Sequence, residues 1–366
     1  MKLLDKYILL KILSTFFFVL LILVAIIVVI DLTEKVDKFT ENHLPTLTII
    51  GYYLDFVPWI AGLISPIIVF IAIVYVTGRL AAHTEIIAML SSGISFPRLL
   101  LPYFMGATII AGITFILNGW VIPQSNKKRL NFEVQYIKSK QYYDRGNIHL
   151  QLEPDVIMYI QNYNTETNTG YAFTLERFDH NRLIEKLTAE NITWDTTKHK
   201  WRLRAWKRRF VDSLFVVRTS GTPGDLRTSG PELDTALAIQ PKEFESEQGE
   251  YDGMTIPELT EHIKKLRFRG STGVETFEVE RHIRFAAPFT IFVLVFMGVL
   301  VSARKSRGGT GFQIVMGFIL AFVFLIFFLL TRTFAETGAL PPFLAAWLPN
   351  ITFAIIAAFM YRYVPR

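Results

Sequence analysis

Apolar and polar positions divide the chain into six long apolar runs and one long polar stretch. The runs are residues 12–30, 56–77, 99–122, 285–303, 312–331 and 337–361. A helix needs about 20 mostly apolar residues to cross a bilayer, and each run reaches that scale. Prolines 58, 66, 102, 288 and 349 fall inside them, which spanning helices tolerate when neighbours re-satisfy the backbone. The pattern predicts a polytopic α-helical membrane protein with three spans on each side of an insert. The first run is longer than a signal-peptide core of about 7–15 residues. Asp31-Leu32-Thr33-Glu34 follows it instead of a small-residue cleavage site, so it reads as an uncleaved anchor.

The polar stretch, residues 123–284, reads differently. Residues 155–162, 171–179, 186–195, 200–212 and 213–220 alternate with period two. Turn signals separate them, among them Asn-Thr-Gly at 168–170 and Gly-Thr-Pro-Gly at 221–224. Short strands at this spacing predict an antiparallel sandwich or jelly roll. In the fourth, Trp201, Leu203 and Ala205 share one face and Arg202 and Arg204 the other. Residues 255–269 read as a helix, with Thr255 as cap and basic residues crowding its end. The division expected is 1–122 for three spans with a short cytoplasmic helix near 83–93, 123–254 for the sheet, 255–284 for a linker helix and 285–366 for three spans.

Charge fixes the orientation. Lysine and arginine favour the cytoplasmic loops. One side would hold Lys2, Lys6, Lys11, Arg79, Arg98, Arg304, Lys305, Arg307, Arg362 and Arg366 against Asp5 and Glu85. The opposite short loops hold Lys35, Lys38 and Arg332. Both termini are therefore expected in the cytoplasm and the insert outside. Residues 123–283 carry 24 basic and 24 acidic residues, so the whole net charge of +6 lies in the membrane part. The basic balance then reflects topology, and no nucleic-acid partner is implied.

Composition and motifs exclude several chemistries. The chain has no cysteine, hence no disulfide, thiolate metal site or cysteine nucleophile. Its seven histidines are scattered, without His-Glu-x-x-His or a close pair, so no metal site and no catalytic residue is assigned. The glycine-rich run from Arg307 to Phe312 lacks the phosphate-loop pattern and reads as a tight turn. The six apolar runs contain no ionisable side chain, which argues against an intramembrane hydrolase or proton pump.

The loop 80–96, LAAHTEIIAMLSSGISF, is more specific. His83 or Thr84 can cap a short helix, Glu85 suits its first turn, and Gly93 ends it. Ile86, Met89 and Leu90 form an apolar stripe at i, i+3, i+4. The pattern fits equally a docking element and a helix lying on the membrane.

Those residues carry a resemblance. The stretch from Thr84 to Ser95 resembles the coupling helix of the LptF/LptG family of lipopolysaccharide-export permeases. Leu4-Asp5-Lys6-Tyr7-Ile8 resembles the family's opening and leans toward the LptG branch. So, in order, do Trp120-VIPQSNKKR-Leu130, Tyr171-AFTLERFD, Leu187-TAENITWD, Glu280-RHIRFAAPF, Arg304-KSRGG and Pro342-FLAAWLPN along the chain. Two positions depart from the pattern: Leu90, where many relatives are polar or basic, and Asp31, where some are basic.

The resemblance implies six transmembrane helices around a periplasmic antiparallel β-jellyroll-like domain, in a multi-pass protein of the bacterial inner membrane. It implies a permease subunit that extracts lipopolysaccharide from the outer leaflet and passes it to a periplasmic bridge. Partners would be a second LptF/LptG-type permease, LptC/LptA-like jellyroll proteins and an LptB-like ATPase dimer. ATP would be used by that ATPase, and no cofactor is expected on this chain. Thr84, Glu85, Ile86, Met89, Ser92 and Gly93 would couple to the ATPase, with Glu85 pairing with a basic residue of its groove and Ile86 and Met89 packing in it. Lys35, Lys38, Arg284 and Arg332, near the outer headgroup level by topology, would meet lipid phosphates or serve as ordinary interfacial anchors, and Phe18 and Phe322 would line lateral gates. Two rival readings are a mechanotransmitting permease that moves no lipid through itself and an envelope-assembly scaffold.

Overall fold

The computed structural model describes residues 3–137, 144–180, 182–211, 217–218, 229–241, 244, 250–270, 273–303 and 309–362. Of the run Arg307–Phe312 expected as a tight turn, residues 309–312 instead begin a helix, while 304–308, including Arg304, Lys305 and Arg307, lie outside the described residues, as do Lys2, Arg366, the 221–224 turn and most of the strand expected at 213–220. The chain forms two units. One comprises Met1–Lys138, Tyr251–Thr260 and Glu275–Arg366; the other comprises Ser139–Glu250 and Glu261–Val274.

The first unit is helical: α1 (Leu3–Glu41), α2 (Thr46–Ala82), α3 (Glu85–Ser91), α4 (Phe96–Ile116), α5 (Ile122–Phe132), α7 (Val274–Ser302), α8 (Gly309–Glu336) and α9 (Pro342–Arg362). Helix α6 (Ile256–Phe268) has its first residues in this unit and its remainder in the other. Six helices are long and apolar enough to cross a membrane. The third runs Phe96–Ile137 and joins α4 to α5 through the π-turn Leu117–Val121. It thus continues to Ile137, 15 residues past the expected end at Ile122. Asn126, Arg129 and Glu133 read as loop residues, yet they are buried and satisfied inside the bundle. The sixth begins at Pro342 rather than Thr337, because Gly338 adopts φ +78 and breaks the helix after Glu336.

Helix α2 is central, packing on α1, α5 and α8. The two largest apolar clusters among the described residues of this unit hold the bundle. The larger joins Ile8, Ile12 and Phe16 of α1 to Phe70 and Ile73 of α2, Tyr103 of α4 and Leu294 of α7. The smaller joins Val24 and Phe39 to Tyr52, Phe56 and Ile60. Glycines bring backbones close: a Cβ at Gly298 would lie 2.9 Å from Ile73, and one at Gly317 would lie 2.9 Å from Val74.

The second unit is an antiparallel sheet between the third and fourth spans. It runs β1 (Asp144–Glu153), β2 (Val156–Asn164), β3 (Thr169–Asp179), β4 (Arg182–Asp195) and β5 (Lys200–Val211), each paired with the next. Strands β6 (Val217–Arg218) and β7 (Ser229–Thr235) both pair with β5. The core face buries Met158, Ile160, Phe173, Trp201 and Leu203, with Phe244 stacked on Tyr163. Trp201 donates its indole hydrogen to the Ile239 carbonyl at 2.8 Å.

The alternation does not run through. Buried positions three apart, Ile160/Tyr163, Gly170/Phe173, Ala189/Ile192 and Leu203/Trp206, show that each strand changes face once. By the pairing register the change falls on one cross-strand row, Asn147, Gln161, Ala172, Glu190 and Ala205. Three of these have left-handed backbones: Asn147 at φ 54, Ala172 at φ 52 and Ala205 at φ 49. A crease therefore crosses the sheet. Ala205 is exposed there and does not share the buried face of Trp201 and Leu203, contrary to strict period two.

Candidate functional site

Helix α3 is a seven-residue connector between α2 and α4. It opens without a side-chain cap. Thr84 is left-handed, at φ 61, and its hydroxyl donates to the His83 carbonyl at 2.6 Å. Neither His83 nor Thr84 caps as expected, because that backbone turns the hydroxyl away from the helix amides. The other end closes as a Schellman turn: Gly93 N–H bonds to Leu90 O at 3.1 Å and Ile94 N–H to Met89 O at 3.3 Å. Gly93 holds φ +88, which an L side chain adopts only at a cost.

The apolar stripe is turned inward. Ile86 is 2% exposed and belongs to the bundle's own core, with Met89 and Leu90 packed against it. Ile86 is therefore not available as a groove contact on a partner; it anchors α3 to its own bundle. The outward face carries Thr84, Ile87, Ala88, Ser91, Ser92 and Gly93. Ile87 was not singled out from sequence, although it is the one apolar residue in the helix lying off the i, i+3, i+4 stripe.

Glu85 is held from α1. The Tyr7 hydroxyl donates to its Oε2 at 3.2 Å, and Lys11 Nζ lies 3.9 Å from its Oε1 and donates to Tyr7. Just beyond α3, Arg98 pairs with the buried Asp5 at 2.8 Å. Helix α1 thus holds the start of the connector and the first turn of α4 that follows it.

At the opposite end of the bundle the expected phosphate ligands are mostly paired. Lys35 donates to Asp31 at 2.7 Å and to the Tyr52 hydroxyl at 2.6 Å. Tyr53 donates to Asp31 at 3.0 Å and Tyr52 to Glu133 at 3.2 Å, while Arg129 pairs with Glu133 and lies 4.2 Å over Trp59. Arg284 is 4% exposed; it binds Glu280 at 3.0 Å, Tyr251 O at 2.8 Å and Met254 O. It is a buried strut, not a surface cation. Arg332 binds Glu336 at 2.7 Å and lies 3.5 Å from Glu280. Lys38 is exposed and meets Glu41 at 3.2 Å. The loop positions gave the level of these cations but not their direction. A carboxylate four residues away, at Asp31, Glu280 and Glu336, captures Lys35, Arg284 and Arg332 respectively.

Near this cluster the Asp252 carboxyl is pushed up to about 6, by burial first and by Glu280 second. Among the described residues no group of three or more His, Asp or Glu side chains is placed to hold a metal ion.

Two spans stand apart in their exposure. In the most apolar windows of α1 and α8 only 17% and 22% of positions are buried, against 50–61% in the second, third and fourth spans. Phe18 and Phe322 both point outward from them.

The family model described as "Lipopolysaccharide export system permease LptF/LptG" matches residues 6–363. The lipopolysaccharide export system permease protein LptG of Escherichia coli strain K12 is 20% identical over 365 residues, 98% of this chain and 97% of that protein. LptG of Haemophilus influenzae is 21% identical over 283 residues, 76% of this chain and 75% of that protein. With six membrane-type helices around a sheet domain, the chain belongs to the LptF/LptG family of lipopolysaccharide export permeases, a non-catalytic, multi-pass transport subunit of the inner membrane.

Proposed function

We propose that this chain is the permease half of an ATP-driven exporter that lifts lipopolysaccharide from the outer leaflet of the inner membrane. In this reading both termini and α3 face the cytoplasm and the sheet lies in the periplasm. A separate ATPase dimer, LptB-like, docks on the outward face of α3, and a second permease of the same family completes the pair. The sheet hands the lipid to LptC/LptA-like jellyroll proteins.

The observation that carries the reading is the link from α3 to α1. A push on α3 reaches Tyr7 and Lys11 through Glu85, and Asp5 through Arg98. Helix α1 also carries an outward apolar face suited to acyl chains. ATP-driven motion would thus move a lipid-facing helix directly. Lys38 and the exposed part of Arg332 are the cations left for headgroup phosphates, and the faces around Phe18 and Phe322 are the proposed gates.

The Glu85→Lys variant tests it. It places like charge beside Lys11 and should uncouple ATP hydrolysis from lipopolysaccharide release, or lose the ATPase from the purified complex. Normal complex yield with normal release would refute the role of α3. Depletion of the chain should lower surface lipopolysaccharide; an unchanged outer leaflet would favour a scaffold.

A further inference from the structure

We infer that the polar face of β3, β4 and β5 is a binding groove for an uncharged, hydroxyl-rich saccharide. Two neighbouring cross-strand rows build it. One is Thr169, Thr193, Arg202 and Asp234; the other is Tyr171, Asn191, Arg204 and Glu232. The second row lies directly beside the crease at Ala172 and Ala205. Between the rows is a shallow hollow of about 650 Å³, lined chiefly by Thr169, Tyr171, Asn191, Thr193, Arg202 and Arg204.

The chemistry of the lining selects the ligand. The lining carries Arg202 and Arg204 against Asp195, and ion pairs running out to Lys198, Asp234 and Glu232 at its edge balance the charge. Arg202 is bridged by Asp195 at 2.6 Å and Asp234 at 3.4 Å, Lys198 meets Asp234 at 2.6 Å, and Arg204 lies 3.6 Å from Glu232. Three cations against three carboxylates give a free anion little net attraction, so a phosphate is disfavoured. The same groups offer alternating donors and acceptors, which is what vicinal hydroxyls need.

Asn191 Oδ1 is sealed from solvent and has no hydrogen-bond donor among the described residues. An acceptor left unmet is a standing cost, and rotation of the Asn191 amide toward the hollow it lines would offer that oxygen to a ligand hydroxyl. Its neighbour in the row, Tyr171, is 48% exposed and presents a ring on which the C–H face of a pyranose can lie. Hydroxyls between threonines, amide and guanidinium, with an aromatic platform beside them, describe a sugar site rather than a lipid or peptide site. The inference rests on the exporter reading, since the lipid named in that reading carries a saccharide. It assigns the sugar a resting place on the outer face of the sheet, apart from the apolar core face.

The full chain in nanodiscs, probed with lipid-free, dephosphorylated core oligosaccharide by saturation-transfer NMR, tests it. Transfer to ring protons is expected in the wild type, and the affinity from its ligand titration should fall roughly tenfold, about 1.4 kcal/mol, in Tyr171→Ala and in Arg204→Ala. The Tyr159→Ala variant, on β2 across the crease, should retain it. Excess inorganic phosphate should not compete. Equal transfer in wild type and Arg204→Ala, both with wild-type melting, would overturn the site, as would competition by phosphate. The outcomes separate from those of the exporter reading: if the chain exports nothing, depletion leaves surface lipopolysaccharide intact whatever the groove binds.

Discussion

Helix α8 is held on α2 by the absence of one carbon atom. A Cβ at Gly317 would meet Val74 Cγ2 at 2.9 Å and Cγ1 at 3.0 Å. Valine in a helix has essentially one rotamer, so Val74 cannot swing aside. Relief requires the helices to part by about half an ångström, and overpacking of this kind costs about 1–3 kcal/mol. Against it stands the helix-propensity gain of alanine over glycine, about 1 kcal/mol. Gly311→Ala isolates that gain, because nothing lies within 4 Å of a Cβ there and the position is exposed on the same helix. The two variants should therefore differ by about 1–3 kcal/mol, with Gly317→Ala the less stable. At this chain length that is a gap of a few degrees in melting temperature, on the order of 2 °C per kcal/mol. The assay is thermal unfolding of both variants in one detergent, followed by lipopolysaccharide release in vesicles. If α8 is a gate hinged on this contact, Gly317→Ala should also alter release while Gly311→Ala should not. Equal or higher melting of Gly317→Ala than of Gly311→Ala would refute the packing argument.

Three further perturbations follow from the geometry. Ala172→Gly and Ala205→Gly should each stabilise the sheet unit by about 1 kcal/mol, since a left-handed backbone costs an L residue about 1–2 kcal/mol; a lower melting temperature in both would contradict the crease. Asp252 has a folded-state value of about 6 against an ordinary 3.8, so the native state holds its proton more tightly than the unfolded chain does. Stability should then be greatest near pH 4 and fall as pH rises to about 6, by about 1–3 kcal/mol. Asp252→Asn should flatten that slope and melt higher than wild type at pH 7–8; parallel pH profiles would reject it. Arg284→Met should destabilise the bundle by about 3 kcal/mol by leaving the Glu280 carboxylate less well paired. The double variant Arg284→Met/Glu280→Gln should recover part of the loss in the same melting assay.

The spans were legible because a bilayer imposes a length and a polarity that any window of residues reports. Their ends were not. The third span overran its expected end because Asn126, Arg129 and Glu133 satisfy one another and reach Tyr52 and Trp59. Polarity in sequence marks a loop only when the polar groups have no partners inside. The sheet repeats the lesson in another form. Strands β2 to β5 were found from alternation, whereas β1, left out of the reading, and β7, rich in glycine, proline and charge, were missed. The crease defeats alternation altogether, because a face change at Ala172 and Ala205 moves every later side chain to the other side.

At the candidate site the sequence located a short helix between the second and third spans but not the direction of its apolar stripe. Ile86, Met89 and Leu90 form a good apolar stripe, and the same pattern serves a core face and a docking face equally well. What decides between them is the neighbour: α3 is seven residues long between two buried helices, too short to stand off the bundle. Its stripe is the anchor, so under the proposed function the face offered to the ATPase is what is left, Ile87 with Thr84, Ala88, Ser91 and Ser92. Glu85 then changes meaning as well. A carboxylate already held by Tyr7 and Lys11 is less a ligand for a foreign cation than the joint between connector and first span. Ile87→Asp and Glu85→Gln should therefore fail differently. The first should release the ATPase from the complex, since it puts a charge in the docking face. The second keeps that face intact and should retain the ATPase while weakening the grip on α1 and the lipid release it drives. Loss of the ATPase in both variants alike would return Glu85 to the interface.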